Sequence, residues 1–226
     1  MNAHSHIAQK PGCSHYASVL PDDLTTSVRE WLKEDTPTFD VGGFVVGHKM
    51  EEAWLLMKQT GVIAGVPWIY ATMEGVLGCQ VEWCSDFKEG DYVNVKDNEK
   101  IKLAVVRGPC RNLLLGERLI LNILARASGL ATRAHEAAEV GRKVNWHGTV
   151  AGTRKVTPGF RSIEKYAMLV GGAATHRHDL SQMVMLKDNH IWSAGSITQA
   201  VEKARSACGF SSKIEVECGS YEDAHE

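Results

Sequence analysis

At 226 residues, with 44% apolar and 23% charged side chains, the chain has the composition of one large or two modest globular domains rather than of a disordered segment. A net charge of −2 and a pI near 6.6 argue against nucleic acid as the main partner. No apolar run approaches the ~18 residues of a membrane span, and the polar, His-containing first ten residues do not read as a secretory signal. The six cysteines are scattered without a Cys-x-x-Cys pair, the pattern of reduced intracellular thiols, so the expected compartment is the cytoplasm, or cytoplasm and nucleus.

Residues 1–20 lack periodicity and read as a flexible tail; His4, His6, Cys13 and His15 within it match no standard metal spacing. Residues 22–33 follow as a short helix, with Leu24, Val28, Trp31 and Leu32 on one face. Residues 52–58, 79–83 and 100–107 read as strands, 67–77 as a helix, and Glu89-Gly90-Asp91 as a turn. Irregular alternation of this kind predicts an α/β unit over 21–110. Pro109 opens a long helical stretch, the connection over 111–143, in which Leu113, Leu119, Ile123 and Ala127 recur at helical spacing. Ser128-Gly129 is expected to kink or split it. On local pattern Glu117 and Arg118 read as a solvated charge pair.

After residue 144 the rhythm changes to β-α-β-α-β-α: strands over 149–153, 183–187 and 213–218, helices over 158–170 and 197–208, and a helix start after Ser220. Ser196 and Gln199 read as a capping box. Between 151 and 190 six Lys or Arg (Arg154, Lys155, Arg161, Lys165, Arg177, Lys187) face three acids (Glu164, Asp179, Asp188), a local excess of cations in an acidic chain. Arg154-Lys155, Lys187-Asp188 and Glu217 each close a predicted strand, the edge that carries chemistry in (β/α) barrels, so the region is read as a site for a small polyanion. There is no nucleophile elbow, Walker A or Gly-x-Gly-x-x-Gly motif. His176, His178 and His190 could form a metal trio, but the neighbouring arginines would repel a cation.

Three βα units are too few for a barrel of about eight strands. The expectation is a truncated chain rather than a second domain of another kind.

These residues resemble the quinolinate phosphoribosyltransferases. The resemblance rests on Ala151-Gly152-Thr153-Arg154-Lys155, Glu164-Lys165-Tyr166, Val170-Gly171-Gly172, His176-Arg177 with Asp179-Leu180, Lys187-Asp188-Asn189-His190 and Glu215-Val216-Glu217-Cys218. Upstream it continues through residues 113–118 and 121–126, and it runs from about residue 20 to the end. It implies an α/β fold: an N-terminal α/β sandwich followed by an open α/β barrel over 144–226, of which about three βα units are present. It implies transfer of phosphoribose from phosphoribosyl pyrophosphate to quinolinate with decarboxylation, giving nicotinate mononucleotide, pyrophosphate and carbon dioxide, on the route to NAD.

By the same resemblance Arg118, Arg154 and Arg177 grip the two carboxylates, whose shape suits the guanidinium fork, with His176 and Lys187 completing the pocket. Lys155 serves the phosphates, and Glu217 the ribose hydroxyls or their magnesium ion; Lys155 and Glu217 are the catalytic candidates. Val156 stands beside them where the family has Thr, and His178 replaces a bulkier residue. Arg118 would reach into the neighbouring subunit's barrel, which reverses its local reading and makes the protein a homo-oligomer, dimer or hexamer. The family's later strands would add an aspartate and Gly-rich phosphate loops that this chain lacks. The alternative is therefore an inactive truncated product that keeps the dimer surface and part of the quinolinate site. A nicotinate-specific relative fits less well, because a monocarboxylate would not need three arginines and Lys187.

Overall fold

The computed structural model describes residues 7–226. The chain divides into two compact units, one made of 1–152 and 156–175, the other of 153–155 and 176–226.

In the first unit, helix α1 (Thr25–Asp35) and the short α2 (Val41–Val46) precede strand β1 (Met50–Met57). Strand β2 (Gly61–Val62), helix α3 (Val66–Tyr70) and strands β3 (Gln80–Trp83), β4 (Tyr92–Val93) and β5 (Ile101–Pro109) follow. Strands β1, β5 and β3 form an antiparallel sheet in that order, with Met50 opposite Pro109 and an irregularity at Leu55/Leu56. A two-stranded ladder pairs β2 with β4. The α2 helix went unread because Gly42 and Gly43 break its pattern; it starts only because Asp40 accepts the Gly43 N–H at 2.8 Å. The helix expected over 67–77 begins as α3 and continues as a π-helix over Ala71–Val76, whose Leu77 N–H reaches back to the Thr72 carbonyl.

Helix α4 (Cys110–Lys143) runs unbroken, contrary to the expected kink at Ser128-Gly129. The side chain of Ser128 turns outward from its own helix to bind Ala64, accepting its N–H at 3.1 Å and donating to its carbonyl at 3.2 Å. One turn on, Thr132 accepts the Val62 N–H at 2.8 Å while donating back to the Ser128 carbonyl of its own helix at 2.7 Å. Gly129 meets nothing and costs only propensity. The buried stripe Leu113, Leu119, Ile123, Ala127, Ala131 and Ala134 matches the helical spacing. Its small C-terminal members admit helix α5 (Arg161–Val170), whose end lies against the Ala131 carbonyl at Gly171. Two apolar clusters make the core: Val28, Trp68, Ile123 and Tyr166 meet in one, and Leu55, Ile69, Trp83 and Leu103 lie under the sheet in the other.

The flexible tail is also corrected. His4 and His6 lie outside the described residues, but Ile7–Gln9 and His15–Val19 form 3-10 turns. They are tied down because Tyr70 donates to the Pro11 carbonyl at 2.8 Å, Lys10 pairs with Glu74 at 2.5 Å, and the Ser14 N–H reaches buried Glu89 at 3.1 Å.

The second unit contains β6 (Val184–Leu186), α6 (Asp188–Ala194), α7 (Ile197–Cys208), β7 (Ile214–Val216) and α8 (Tyr221–His225). Strands β6 and β7 are parallel, with Val184, Met185 and Leu186 opposite Ile214, Glu215 and Val216. The strand expected over 149–153 is reduced to one parallel bridge, Ala151 to Ala174, in the first unit. Ser196 caps α7 by accepting the Gln199 N–H at 3.2 Å. Among the described residues no helix is long and apolar enough to cross a membrane, and all six cysteines are free thiols.

Candidate active site at the ends of parallel strands

The second unit gathers Arg154, Lys155, His176, Arg177, Lys187 and Glu217, which four sequence segments contribute. Because β6 and β7 are parallel and in register, Lys187 and Glu217 emerge side by side, Lys187 Nζ 2.7 Å from Glu217 Oε2. Side chains alternate along a strand, so Lys187 and Met185 share a face with Glu217 and Glu215, while buried Leu186 points to the other.

One residue pair deeper on that face, Glu215 Oε2 lies 3.4 Å from His176 Nε2. His176 has φ 56°, a left-handed conformation that costs a non-glycine residue about 1–2 kcal/mol and that a surrounding structure must hold. Its ring Nδ1 accepts the Arg177 N–H at 2.6 Å. Arg177 itself is buried, 9% exposed, whereas Arg154 and Lys155 are open to solvent. The Lys155 N–H is fixed by the Thr153 hydroxyl at 3.0 Å.

Of the other expected residues, Arg118 is exposed on α4 and Val156, next to Lys155 in the chain, is half-buried; both count with the first unit. The histidine trio does not form: His190 Nδ1 accepts the Lys187 N–H at 3.1 Å at the start of α6, and His178 N–H goes to Gln182 Oε1 at 2.6 Å. Among the described residues no three His, Cys, Asp or Glu converge as a metal cage.

The Glu164-Lys165-Tyr166 motif proves to be structural. Glu164 accepts from Arg126 Nε at 2.8 Å and the Thr157 N–H at 3.0 Å; burial pulls its pKa up, but these bonds outweigh burial and hold it below the usual carboxylate range. Fully buried Lys165 donates to the Thr175 carbonyl, and burial lowers its pKa. Tyr166 donates to Glu89, which also accepts the Gly65 and Val66 N–H groups at 2.7 and 2.9 Å. For Glu89 burial outweighs these donors and pushes the pKa up. Glu215 is the residue that reading for motifs missed. Its signal was parity, since it stands two positions before Glu217 on the same strand.

Helices alternating with strands, and a unit in which Lys187 and Glu217 stand at the carboxyl ends of paired parallel strands, define the class: an α/β protein. The chain matches family models described as the quinolinate phosphoribosyl transferase N-terminal domain over residues 23–128 and C-terminal domain over 130–226. It is 48% identical over 204 residues to the rat nicotinate-nucleotide pyrophosphorylase [carboxylating], covering 90% of this chain and 66% of that protein. It is 47% identical to the Dictyostelium discoideum protein of the same name, covering 88% and 69%. The crystal structure of NadC from Streptococcus pyogenes superposes with a TM-score of 0.80 at 31% identity, covering 91% of this chain and 72% of that one. The chain spans about two thirds of the length of these curated relatives. It belongs to the quinolinate phosphoribosyltransferase family.

Proposed function

We propose that the protein transfers phosphoribose from phosphoribosyl pyrophosphate to the ring nitrogen of quinolinate, with loss of one carboxylate as carbon dioxide. Family membership supports this reading. The observation that carries it is the pairing of Lys187 with Glu217 across the ends of β6 and β7, in the compact unit that also holds Arg154, Lys155, His176 and Arg177. Quinolinate is a planar dicarboxylate. Arg177 and Arg154 suit bidentate grips on it, with His176 and Lys187 alongside, and Arg118 of a neighbouring subunit would complete the pocket in a homo-oligomer.

The pyridine nitrogen is itself the nucleophile, so no side chain need remove a proton from it. A C–N bond forms at ribose C1 as the bond to pyrophosphate breaks. Lys155 offers a compact charge to the departing phosphates, and Glu217 faces the ribose hydroxyls, so catalysis is positioning plus electrostatic support. The cationic ring nitrogen then stabilises the carbanion left when the neighbouring carboxylate departs, and that carbon takes a proton. Glu217 is a hard oxygen donor without further ligands clustered near it, which suits magnesium carried in on phosphate oxygens rather than a resident metal. There the ion would offset phosphate charge.

The test is release of labelled carbon dioxide from carboxyl-labelled quinolinate by the purified full chain. Release that requires phosphoribosyl pyrophosphate supports the assignment; quinolinate binding without release under any magnesium concentration would leave a binding protein instead.

A further inference from the structure

Glu215 belongs to none of the groups assigned above to substrate, yet from the middle of β7 its carboxylate lies beside His176, on the strand face it shares with Glu217. Its partner His176 is held from two sides. The Arg177 N–H donates to Nδ1 at 2.6 Å, and Glu215 Oε2 lies 3.4 Å from Nε2, within ion-pair reach. A ring nitrogen that accepts carries no proton. The hydrogen-bond geometry therefore assigns a neutral imidazole with its proton on Nε2, facing Glu215.

Glu217 differs, being committed to Lys187 at the strand end. The face of β7 thus carries two carboxylates with separate partners, a histidine below and a lysine above. The His176 side chain is 20% exposed and that of Glu215 51%, so the ring is the more covered partner and the carboxylate is reachable from solvent.

We propose that Glu215 is a positioning residue, which locks His176 in one tautomer and orientation and, through the bond from the Arg177 main-chain N–H to His176 Nδ1, fixes the backbone from which the Arg177 side chain meets the dicarboxylate. This rests on the reading of Arg177 as a quinolinate clamp. Carboxylates that orient a histidine through one nitrogen while the other works are a recurrent device.

The experiment combines ring nitrogen NMR on protein with 15N-labelled histidine, His176 being assigned by its loss in His176→Asn, with calorimetric titration of each substrate. Glu215→Ala should release the single tautomer and weaken quinolinate binding on the order of tenfold, the loss expected for one charged hydrogen bond. Affinity for phosphoribosyl pyrophosphate should stay within about twofold, as no contact to it is removed. Glu215→Gln, whose amide oxygen still accepts from Nε2, should restore both tautomer and affinity. Glu215→Asp, which keeps the charge but withdraws it by one carbon, should behave like Ala and repeats the test without emptying the site.

An unchanged His176 tautomer in Ala and Asp overturns the proposal. So does a changed tautomer with unaltered quinolinate affinity, or equal loss for both substrates. If the wild-type protein fails to bind quinolinate, the functional reading falls and the positioning of Arg177 with it, while the nitrogen spectra still decide whether Glu215 holds His176.

Discussion

Lys187 and Glu217 occupy matching positions just past the ends of two parallel strands, and their side chains meet at 2.7 Å. Both are about half exposed, so the pair contributes roughly 0–1 kcal/mol and a ligand can part it. Before substrate arrives, each neutralises the other; in the proposed reaction each has a different target. Glu217→Gln should therefore leave quinolinate affinity unchanged or slightly tighter, since Lys187 is freed, while carbon dioxide release falls steeply. Weaker quinolinate binding in this variant, read by calorimetry, would mean that Glu217 supports the dicarboxylate pocket.

Arg177→Ala should nearly abolish quinolinate binding. At 9% exposure Arg177 is the most buried cation of the group, and removing one partner of a desolvated charge pair costs about 2–5 kcal/mol. A calorimetric change smaller than about tenfold, or 1.4 kcal/mol, would remove Arg177 from the pocket.

Glu89 should make stability fall as pH rises. Burial raises its folded-state pKa above the ordinary 4.5 despite the bonds from Tyr166, Ser14, Val66 and Gly65. Between 4.5 and that raised value the folded chain holds a proton that the unfolded chain has lost, so the Glu89 contribution is present below 4.5 and is lost on going up. The difference in melting temperature between wild type and Glu89→Gln should thus move against the wild type as pH rises from 4.5, then level off. A difference that is flat, or grows in favour of the wild type, would show that the four donors outweigh burial.

Gly171→Ala should destabilise the first unit by about 1–3 kcal/mol, because a methyl there overlaps the Ala131 carbonyl and stands 2.7 Å from the Ala134 methyl. The conflict is with backbone, which cannot swing aside. A thermal melt should show a drop of several degrees with quinolinate affinity retained in the folded protein.

The strands and the long helix were legible because their apolar spacing is regular: 101–109 and 110–143 are predicted within a residue or two. The charged strand ends were legible for a related reason, since Lys187 and Glu217 close their strands in sequence as in space. What the sequence hid depends on contacts distant along the chain. Nothing local says that Ser128 will bond Ala64 and spare the helix a kink, or that Ser14 will reach Glu89 and order the first turns. The Glu164-Lys165-Tyr166 motif carried the family resemblance without showing its role, which is that of buried struts. Glu215 was overlooked because its partner, His176, lies 39 positions earlier, 215 − 176, with two helices between them.

Arg118 offers a test of assembly that a single variant cannot. It stands exposed on α4 in the first unit, whereas Lys155 belongs to the second. If Arg118 serves the pocket of a neighbouring subunit, a pocket needs Arg118 from one chain and Lys155 from the other. Arg118→Ala and Lys155→Ala should each lose carbon dioxide release when pure. Lys155→Ala should keep quinolinate binding, because a charge beside the phosphates matters most as they leave. When the two variants are unfolded together and reassembled, mixed oligomers contain some pockets with both residues intact, and activity should return above that of either alone. Recovery that rises with the mixed fraction supports the shared site. No recovery in verified mixed oligomers would place Arg118 and Lys155 in the same chain's pocket, or Arg118 in none.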